Sequence, residues 1–332
     1  MQRLILILLF PFTVSAQLKR FQFSEAKMGS SFNLIFYYTE SVEADAIAKH
    51  CFRIVDSINQ IFSDYSNVSE VGKLNAQTNY RNVKVSEELF QMLVQSKEAW
   101  LKSDKIFDVT IGSLSQLWRT AQRENKFPTK KEIKRARHSA GFENLLIDSA
   151  ARTISLKKPG IKLDFGGVVP GYAAQRVIDY LRSKNITQAL ADASGDIVAG
   201  DAPPGTNGWR IAINLPESEN ELWDKKLGLK NSAVSTSGDV YRYTTHHGKK
   251  YSHIIDPRTG YGVTWQRNVT VITKNGAAAD WLATACSILS IKKALTLAKK
   301  ENAELFIGAL QKEKIIAYKT EKFDNYFHEK LP

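Results

Sequence analysis

The stretch SHIIDPRTGYGV, residues 252–263, places a His, an Asp, an Arg and two Gly in a turn that directly follows a strand-like run. The stretch ADWLATACSIL, residues 279–289, comes shortly after it and predicts a helix that opens with Asp280. Because residues four apart share one face of a helix, Asp280 and Thr284 present a carboxylate and a hydroxyl in the same direction. Two hard oxygens side by side suit Mg²⁺, which proteins bind through one or two carboxylates, water and substrate phosphate. A structural interpretation stays open, with Asp280 as the helix N-cap and Thr284 as a buried helix residue.

The composition is that of a globular protein that is exported. The chain has 332 residues, of which 43% are hydrophobic and 24% charged. Residues 1–16 combine an early Arg, an apolar run and the small-residue end VSA, which predicts a signal peptide cleaved before Gln17. The apolar run is too short to span a bilayer, and no Cys stands at the cleavage point to carry a lipid. We therefore expect a soluble, exported protein without stable membrane insertion, in which residues 17–332 form a single domain.

The net charge of +12 invites a nucleic-acid partner. The Lys and Arg residues are scattered, however, in the segment KKEIKRAR of residues 130–137 and in Lys pairs further on, which is typical of solvated helix faces and turns. Export also argues against a genomic partner, so we expect no nucleic acid, whereas a basic field would attract a ligand that carries phosphate. Cys286 lies in an apolar helical run and is expected to be a small buried residue, although a disulfide with Cys51 stays open.

The pattern of apolar residues predicts an α+β fold. Helices are expected over residues 43–62, 86–103, about 120–140, 279–290 and 291–300, and after a Gly-rich loop within residues 164–185. Strands are expected over residues 28–38, 145–147, 153–156, 161–165, 189–193, 196–199, 209–215 and 269–273, with hairpins over residues 241–255 and 305–319. Because the strands come in clusters and the helices do not alternate with them regularly, we favour mixed or antiparallel sheets with packed helices over a doubly wound sheet.

Three loops carry polar groups that suit a ligand. The turn DFGGVVPG, residues 164–171, enters a helix, and amides at a helix N-terminus bind phosphate, but a tight turn closed by Pro170 is the structural alternative. His253 is a candidate general base, although a lone His is more often structural. Tyr65, in a polar loop of residues 62–75, is either a ligand platform or a half-buried anchor. Nucleophile-elbow, His-Glu-x-x-His and Cys-x-x-Cys patterns are absent from the sequence, which removes support from those hydrolases and zinc enzymes.

Eight segments of the sequence, in the same order, resemble the FAD:protein FMN transferase family of periplasmic flavin transferases. They are MGSSF, FSDYSNVSEVGKLN, FDVTIGSLSQLW, DFGGVVPGYAAQRVIDYL, ADASGDIVAG, STSGDVYRY, YSHIIDPRTG and ADWLATA. Together they span nearly the whole mature chain. The resemblance implies a periplasmic flavin transferase fold and an enzyme that binds FAD with Mg²⁺. Such an enzyme splits the pyrophosphate of FAD, joins FMN to a Thr of a partner protein and releases AMP.

The resemblance also implies roles for individual residues. Asp280 and Thr284 match the metal-binding residues of the family's A-D-x-x-A-T motif, and the carbonyl of Gly167 is expected to complete that site. His253 matches the catalytic His of the S-H-x-I-D-P motif. The residues expected to contact the FAD are Met28, Tyr65, Asp164, Gly171, Ser237, Gly238, Asp239 and His253. Arg258 is either a phosphate contact or only a partner of Asp256.

The chain departs from the family pattern at two places. Pro170 stands where the family's G-x-x-K-G-Y loop has a Lys, and it supplies neither positive charge nor an amide donor. The sequence ASGD, residues 193–196, replaces the family's more usual paired glycines. The resemblance as a whole predicts Mg²⁺-dependent transfer of FMN from FAD to a Thr hydroxyl of a partner protein, and the two departures leave two alternatives open. An FAD pyrophosphatase that gives FMN and AMP, and a periplasmic FAD-binding protein without chemistry, are the alternatives.

Overall fold

The computed structural model describes residues 17–214, 222–238, 243–312 and 314–328. The predicted signal peptide lies outside these ranges, and so does Asp239 of the predicted SGD turn. Among the helices of the described ranges, none combines the length and the apolar character needed to cross a membrane.

An antiparallel sheet of eight strands organises the described chain. The strands of all the described residues, of which eight form this sheet, are in chain order β1 Lys19–Lys27, β2 Ser30–Tyr38, β3 Val83–Lys84, β4 Leu145–Asp148, β5 Thr153–Leu156, β6 Ala189–Ala193, β7 Asp196–Ala199, β8 Trp209–Asn214, β9 Leu222–Leu229, β10 Ser232–Gly238, β11 Tyr243–His246, β12 Lys249–Ser252, β13 Arg267–Thr273, β14 Glu304–Gln311, β15 Lys314–Lys319 and β16 Phe327–His328. The large sheet has the order β1-β2-β6-β7-β10-β13-β14-β15. Each neighbouring pair in it is antiparallel. The predicted α+β class is confirmed.

Helices cover one face of this sheet. In chain order the helices of the described residues are α1 Ser41–Phe62, α2 Glu70–Asn75, α3 Glu87–Lys102, α4 Gly112–Arg123, α5 Lys130–His138, α6 Val169–Ser183, α7 Gly276–Ile288 and α8 Ile291–Lys300. Helices α1, α6, α7 and α8 make the main contacts with the sheet, whereas α4 and α5 pack in a separate cluster. Strand β2 shows how the sheet divides the core, because successive side chains of a strand point to opposite faces. Phe32, Leu34 and Phe36 are buried in the main core with the helices. Ile35 and Tyr37 pack on the other side, against a smaller cluster that the sheet β16-β9-β8 covers.

Helix α7 is buried on nearly every side, because it lies between the large sheet, α6 and α8. Its contact with α6 is unusually close. A Cβ atom added to Gly171 on α6 would lie 2.2 Å from the carbonyl oxygen of Gly276, and one added to Gly276 would lie 2.2 Å from the carbonyl oxygen of Gly171. The two helices therefore meet backbone to backbone, and only glycine fits at both positions.

Several predictions about elements need correction. Residues 161–165 do not form a strand; this extended segment instead pairs through single backbone hydrogen bonds with the loop before α4, including Asp164 N to Val109 O at 2.8 Å. The predicted polar loop of residues 62–75 contains α2, which Ser69 caps. Strands β1, β3, β9 and β16 were not predicted; β1, for example, is rich in charged and polar residues.

The start of α7 was also predicted wrongly. The helix begins at Gly276 with Asn275 as its N-cap, whose side chain accepts a hydrogen bond from the amide of Ala278. The structural interpretation of Asp280 as the cap of its own helix is therefore wrong. Cys51 and Cys286 are both buried and unpaired, as expected of small hydrophobic residues.

Candidate active site

The Gly-rich turn of residues 164–171 lies against α7. Helix α6 has no side-chain cap of its own at Val168. Instead, Asp280 Oδ2 on α7 accepts a hydrogen bond from the amide nitrogen of Gly171, in the first turn of α6, at 3.1 Å. Amides in the first turn of a helix have no partner within the helix, and the positive end of the helix dipole favours an anion there. Asp280 therefore caps the neighbouring helix.

Thr284 lies one turn further along α7, against the same Gly-rich turn. A Cβ atom added to Gly167 would lie 2.9 Å from Thr284 Oγ1 and 3.3 Å from its methyl carbon. The structure thus brings together Gly167, Asp280 and Thr284, the three residues that the resemblance implies for a metal site, and places Gly171 beside Asp280. A carboxylate, a hydroxyl and a backbone carbonyl are hard oxygen donors of the kind that Mg²⁺ takes. Within the described residues, no group of three or more His, Cys, Asp or Glu forms a metal cage, so an ion here would rely on water and substrate oxygens as well.

The charge around Asp280 also suits a metal ion at this place. Asp280 is only 4% exposed, and burial, followed by the nearby charge of Asp196, raises its pKa well above the ordinary value. Desolvation also raises the pKa of Asp196 to about 7. A hydrogen bond that Ser235 donates to this carboxylate acts in the opposite direction but is the weaker effect. The residue as a whole is partly exposed. Two neighbouring carboxylates in such surroundings repel each other. A divalent cation would relieve this repulsion, so the residues present fit a metal.

Asp196 is a site residue that sequence reasoning missed. It begins β7 directly after a two-residue turn, in which Ser194 and Gly195 have φ values of 58° and 103°. The departure from paired glycines therefore leaves a tight hairpin turn in place. The signal that could have found Asp196 was an acidic residue at the end of this turn, in a strand whose remaining residues are apolar.

His253 lies in a loop that begins directly after β12 and folds back on itself. The loop is closed by hydrogen bonds from the amide of Ser252 to the carbonyl of Val263 and from the amide of Val263 to the carbonyl of Ile254, both at 2.9 Å. His253 is exposed, while both of its neighbours, Ser252 and Ile254, are buried. An exposed imidazole on a loop closed by backbone hydrogen bonds can exchange protons with solvent and with a bound reactant.

Arg258 lies in the same loop and is paired with Asp256. Its Nε and Nη2 atoms donate to the two carboxylate oxygens of Asp256 at 2.9 and 2.7 Å, and its amide nitrogen donates to Oδ1. Hydrogen bonding to Asp256 raises the pKa of Arg258. Of the two predicted roles, the structure shows the pairing with Asp256.

Helix α4 connects three segments of the candidate site. At its start, the amide of Gly112 donates to the carbonyl of Lys162, two residues before the Gly-rich turn, at 2.9 Å. Near its end, Trp118 Nε1 donates to the carbonyl of Gly260 in the His253 loop at 2.8 Å. The next residue, Arg119, reaches the loop of Tyr65. This helix was not predicted from the sequence, and its hydrogen bonds hold the three segments relative to one another.

Tyr65 is 77% exposed, so it is not a half-buried anchor. The guanidinium carbon of Arg119 lies 4.3 Å from the centre of its ring. Arg119 also forms an ion pair with Asp64, whose side chain is nearly buried. Hydrogen bonding to Asp64 and the charge of Asp164 raise the pKa of Arg119 and outweigh the opposite effect of burial. One face of the exposed ring is thus held by a fixed cation, and the pair that holds it was not predicted.

Three further residues predicted to contact the FAD lie at the end of a strand or in the turn between two strands. Ser237 and Gly238 end β10, and a Cβ atom added to Gly238 would lie 1.9 Å from Oδ1 of Asn268, so a larger residue there would displace the Asn268 side chain. Met28 lies in the turn between β1 and β2, with φ 53°, and packs half-buried against the main core. That hairpin neighbours the turn before Asp196, because β2 pairs with β6.

Comparison with known proteins places this geometry in a family. A family model described as "ApbE family" matches residues 28–307. The FAD:protein FMN transferase of Klebsiella pneumoniae (strain 342) is 28% identical over 275 residues, which cover 82% of this chain and 84% of that protein. The FAD:protein FMN transferase of Chlamydia muridarum is 29% identical over 265 residues, which cover 78% and 81%.

Two solved structures show the same fold. An ApbE protein from Thermotoga maritima superimposes with a TM-score of 0.84 at 28% identity and covers 94% of this chain and 100% of its own. The apo form of a Pseudomonas stutzeri flavinyl transferase ApbE gives a TM-score of 0.82 at 27% identity and covers 94% and 98%.

Proposed function

The chain belongs to the ApbE family, and from this premise we propose that it is an FAD:protein FMN transferase. The observation that carries the proposal is the convergence of the α6 N-terminus, Asp280 and Thr284 at one crossing of two helices. The amides at the start of α6 already have partners in Asp280 and Phe165, and the carboxylates of Asp280 and Asp196 would repel the diphosphate of FAD. A divalent cation at this site would relieve the repulsion.

In the proposed site, Asp280, Thr284 and the carbonyl of Gly167 hold Mg²⁺. When bound there, Mg²⁺ neutralises the diphosphate charge and polarises its phosphorus–oxygen bonds. The Gly-rich turn and the Ser237-Gly238 turn orient the FAD, and Tyr65 offers its exposed ring to the flavin. Asp164, Met28, Gly171 and Asp239 remain proposed FAD contacts.

His253 is the proposed general base. It takes the proton from the Thr hydroxyl of the acceptor protein, whose oxygen attacks the phosphorus of the FMN half of FAD. The bond from this phosphorus to the bridging oxygen breaks, and AMP leaves with the bridging oxygen. Positioning and charge neutralisation are the main demands of such an in-line displacement. The proposal includes export directed by residues 1–16 and a single periplasmic domain of residues 17–332.

The test supplies purified protein with FAD and Mg²⁺, with and without an extract of exported proteins from cells that lack this enzyme. We expect a covalently fluorescent acceptor on a denaturing gel, AMP in equal amount, and FMN mapped to a Thr by mass spectrometry. Free FMN and AMP in both samples would indicate an FAD pyrophosphatase, and unchanged bound FAD would indicate a carrier. A His253→Gln variant that labels the acceptor at the wild-type rate would contradict the proposed base.

A further inference from the structure

Helix α5 presents an unusual concentration of positive charge beside the candidate active site. Five of its nine residues are Lys or Arg, and one is acidic. Lys130, Lys131, Lys134, Arg135 and Arg137 are all exposed. Among the described residues, no carboxylate forms an ion pair with any of these five side chains. The acidic residue, Glu132, is occupied in a capping box, where it accepts hydrogen bonds from the amide and hydroxyl of Thr129.

The stability of the helix does not explain this charge. Cations in the last turn of a helix interact favourably with its dipole, so Arg135 and Arg137 have a structural explanation. Lys130 and Lys131 occupy the first turn, where the same dipole disfavours cations. Two lysines at that end weaken the helix slightly, which suggests that their charge serves a contact outside the helix.

A second basic element lies beside α5. The hairpin β11–β12 carries Lys249 and Lys250 and runs directly into the His253 loop. It is joined to the segment before α5 through stacking of His246 on Phe127, with ring centres 3.9 Å apart. We call the five basic residues of α5 together with Lys249 and Lys250 the basic face.

The basic face is attached to the loop that carries His253. Arg137 Nη1 donates a hydrogen bond to the carbonyl of Arg258 at 2.8 Å. On the same loop, Gly260 packs so closely on Ile133 of α5 that an added Cβ atom would lie 2.8 Å from its methyl carbon. Because these contacts join α5 to the loop, a macromolecule that approaches His253 also meets the basic face.

We propose that the basic face docks the acceptor protein through an acidic surface next to its target residue. This inference rests on the proposed function, which requires a second protein to bring a hydroxyl to His253. Charge complementarity at the rim of an interface raises the rate of encounter and selects the partner. The basic face adjoins the His253 loop, whereas the proposed FAD site is at the Gly-rich turn, so the two contacts are separable by mutation.

The test reverses charge on α5 and measures each half of the reaction. The variant is Lys131→Glu/Lys134→Glu, which leaves the hydrogen bond of Arg137 in place. The matched control is Lys292→Glu/Lys299→Glu, which makes the same charge change at exposed positions of α8. The probe is the exported protein whose Thr the wild-type chain labels in the assay above. We expect the α5 variant to lower kcat/KM for this acceptor by about tenfold at low salt, with a smaller loss at high salt. The KM for FAD should equal that of the control. The melting temperature of the α5 variant should be at least that of the control, because Lys131→Glu places an acidic residue in the first turn of α5 whereas Lys299→Glu places one in the last turn of α8.

A charge swap on the acceptor completes the test. Replacing the Asp and Glu residues around the labelled Thr with Lys should impair labelling by the wild-type chain and restore labelling by the α5 variant. Equal labelling by the variant and the control would overturn the inference while leaving the proposed function intact. If the α5 variant instead had a raised KM for FAD, the basic face would be assigned to FAD. If it kept its labelling but no longer sedimented with phosphatidylglycerol vesicles, the face would be assigned to a membrane. Either result would overturn the inference. Absence of any labelling by the wild-type chain would instead remove the proposed function, and this inference with it.

Discussion

Asp280 and Gly171 belong to different helices, yet Asp280 Oδ2 accepts a hydrogen bond from the amide nitrogen of Gly171 at 3.1 Å. The Asp280 carboxylate thus caps the N-terminus of α6 and also lies at the proposed metal site on α7. The close approach of the helices at Gly171 and Gly276 makes this double role possible. The distance between the Gly-rich turn and Asp280 is therefore set by backbone packing, and it can be tested by changing that packing.

Gly171→Ala is expected to push α6 and α7 apart, because the new methyl group would lie 2.2 Å from the carbonyl oxygen of Gly276. Overpacking of this kind costs about 3 kcal/mol of the free energy of unfolding, measured by urea denaturation. The variant should also bind FAD more weakly at temperatures where it is folded. Gly166→Ala is the control for the free energy of unfolding, since its methyl group would meet only a side-chain oxygen, that of Asp164, 3.1 Å away. Equal losses in the two variants would show that the helix contact does not control the site.

Asp280→Asn separates the cap from the charge. The amide oxygen of Asn can still accept the hydrogen bond of Gly171, while the buried negative charge is lost. Because burial raises the pKa of Asp280, its ionised form is unfavourable in the metal-free protein. We therefore expect the variant to be at least as stable as the wild type in EDTA, but to show no stabilisation by Mg²⁺ in thermal unfolding and no turnover. Stabilisation by Mg²⁺ equal to that of the wild type would contradict the metal assignment.

Thr284→Val tests the hydroxyl on the same helix. The substitution keeps the shape of the side chain and removes its oxygen, so the apparent affinity for Mg²⁺ should fall by about tenfold or more in calorimetric titration with FAD present. Thr284→Ser keeps the oxygen and should retain most of the affinity. If Val and Ser bind Mg²⁺ alike, the hydroxyl is not a ligand.

Asp108 gives a prediction about pH. Its carboxylate accepts hydrogen bonds from the amide and hydroxyl of Thr110 and from the amide of Phe142. Burial nevertheless raises its pKa from 3.8 to about 6. Between pH 4 and 6 the folded chain binds more protons at this group than the unfolded chain, so its contribution to stability is full below pH 4 and is lost as the pH rises through 6. The expected loss is roughly 3 kcal/mol.

The measurement is the free energy of unfolding as a function of pH, compared with that of Asp108→Asn. The variant should lose this part of the pH dependence. It should also be less stable below pH 4, because its amide group cannot satisfy every donor around it. Parallel pH curves for the two proteins would contradict the assigned shift.

The sequence allowed much of the site to be predicted, because its residues are local in the chain. The i, i+4 spacing of Asp280 and Thr284 needs only a helix, and the turn before α6 needs only its glycines. The role of Asp280 as the cap of α6 was not predictable, since it depends on the tertiary contact between Gly171 and Gly276. For the same reason, the link from Trp118 to Gly260 could not be predicted, because it joins residues far apart in the chain. Residues 161–165 were predicted as a strand because of their composition, but they have no neighbouring strand to pair with in the fold.

Pro170 is the remaining departure, and its substitution separates charge from backbone effects. The residue lies in the first turn of α6, where Pro is favoured because no amide is needed within the helix. Pro170→Ala should cost about 1 kcal/mol of stability by freeing the unfolded chain. Pro170→Lys should cost slightly more, because it adds a cation at the positive end of the helix dipole. The same charge would lie beside the FAD diphosphate, so we expect Lys to raise kcat/KM for FAD by about tenfold over Ala. Equal rates for Lys and Ala would show that this chain neutralises the diphosphate without a charge at that position, and the metal would then have to supply the neutralisation.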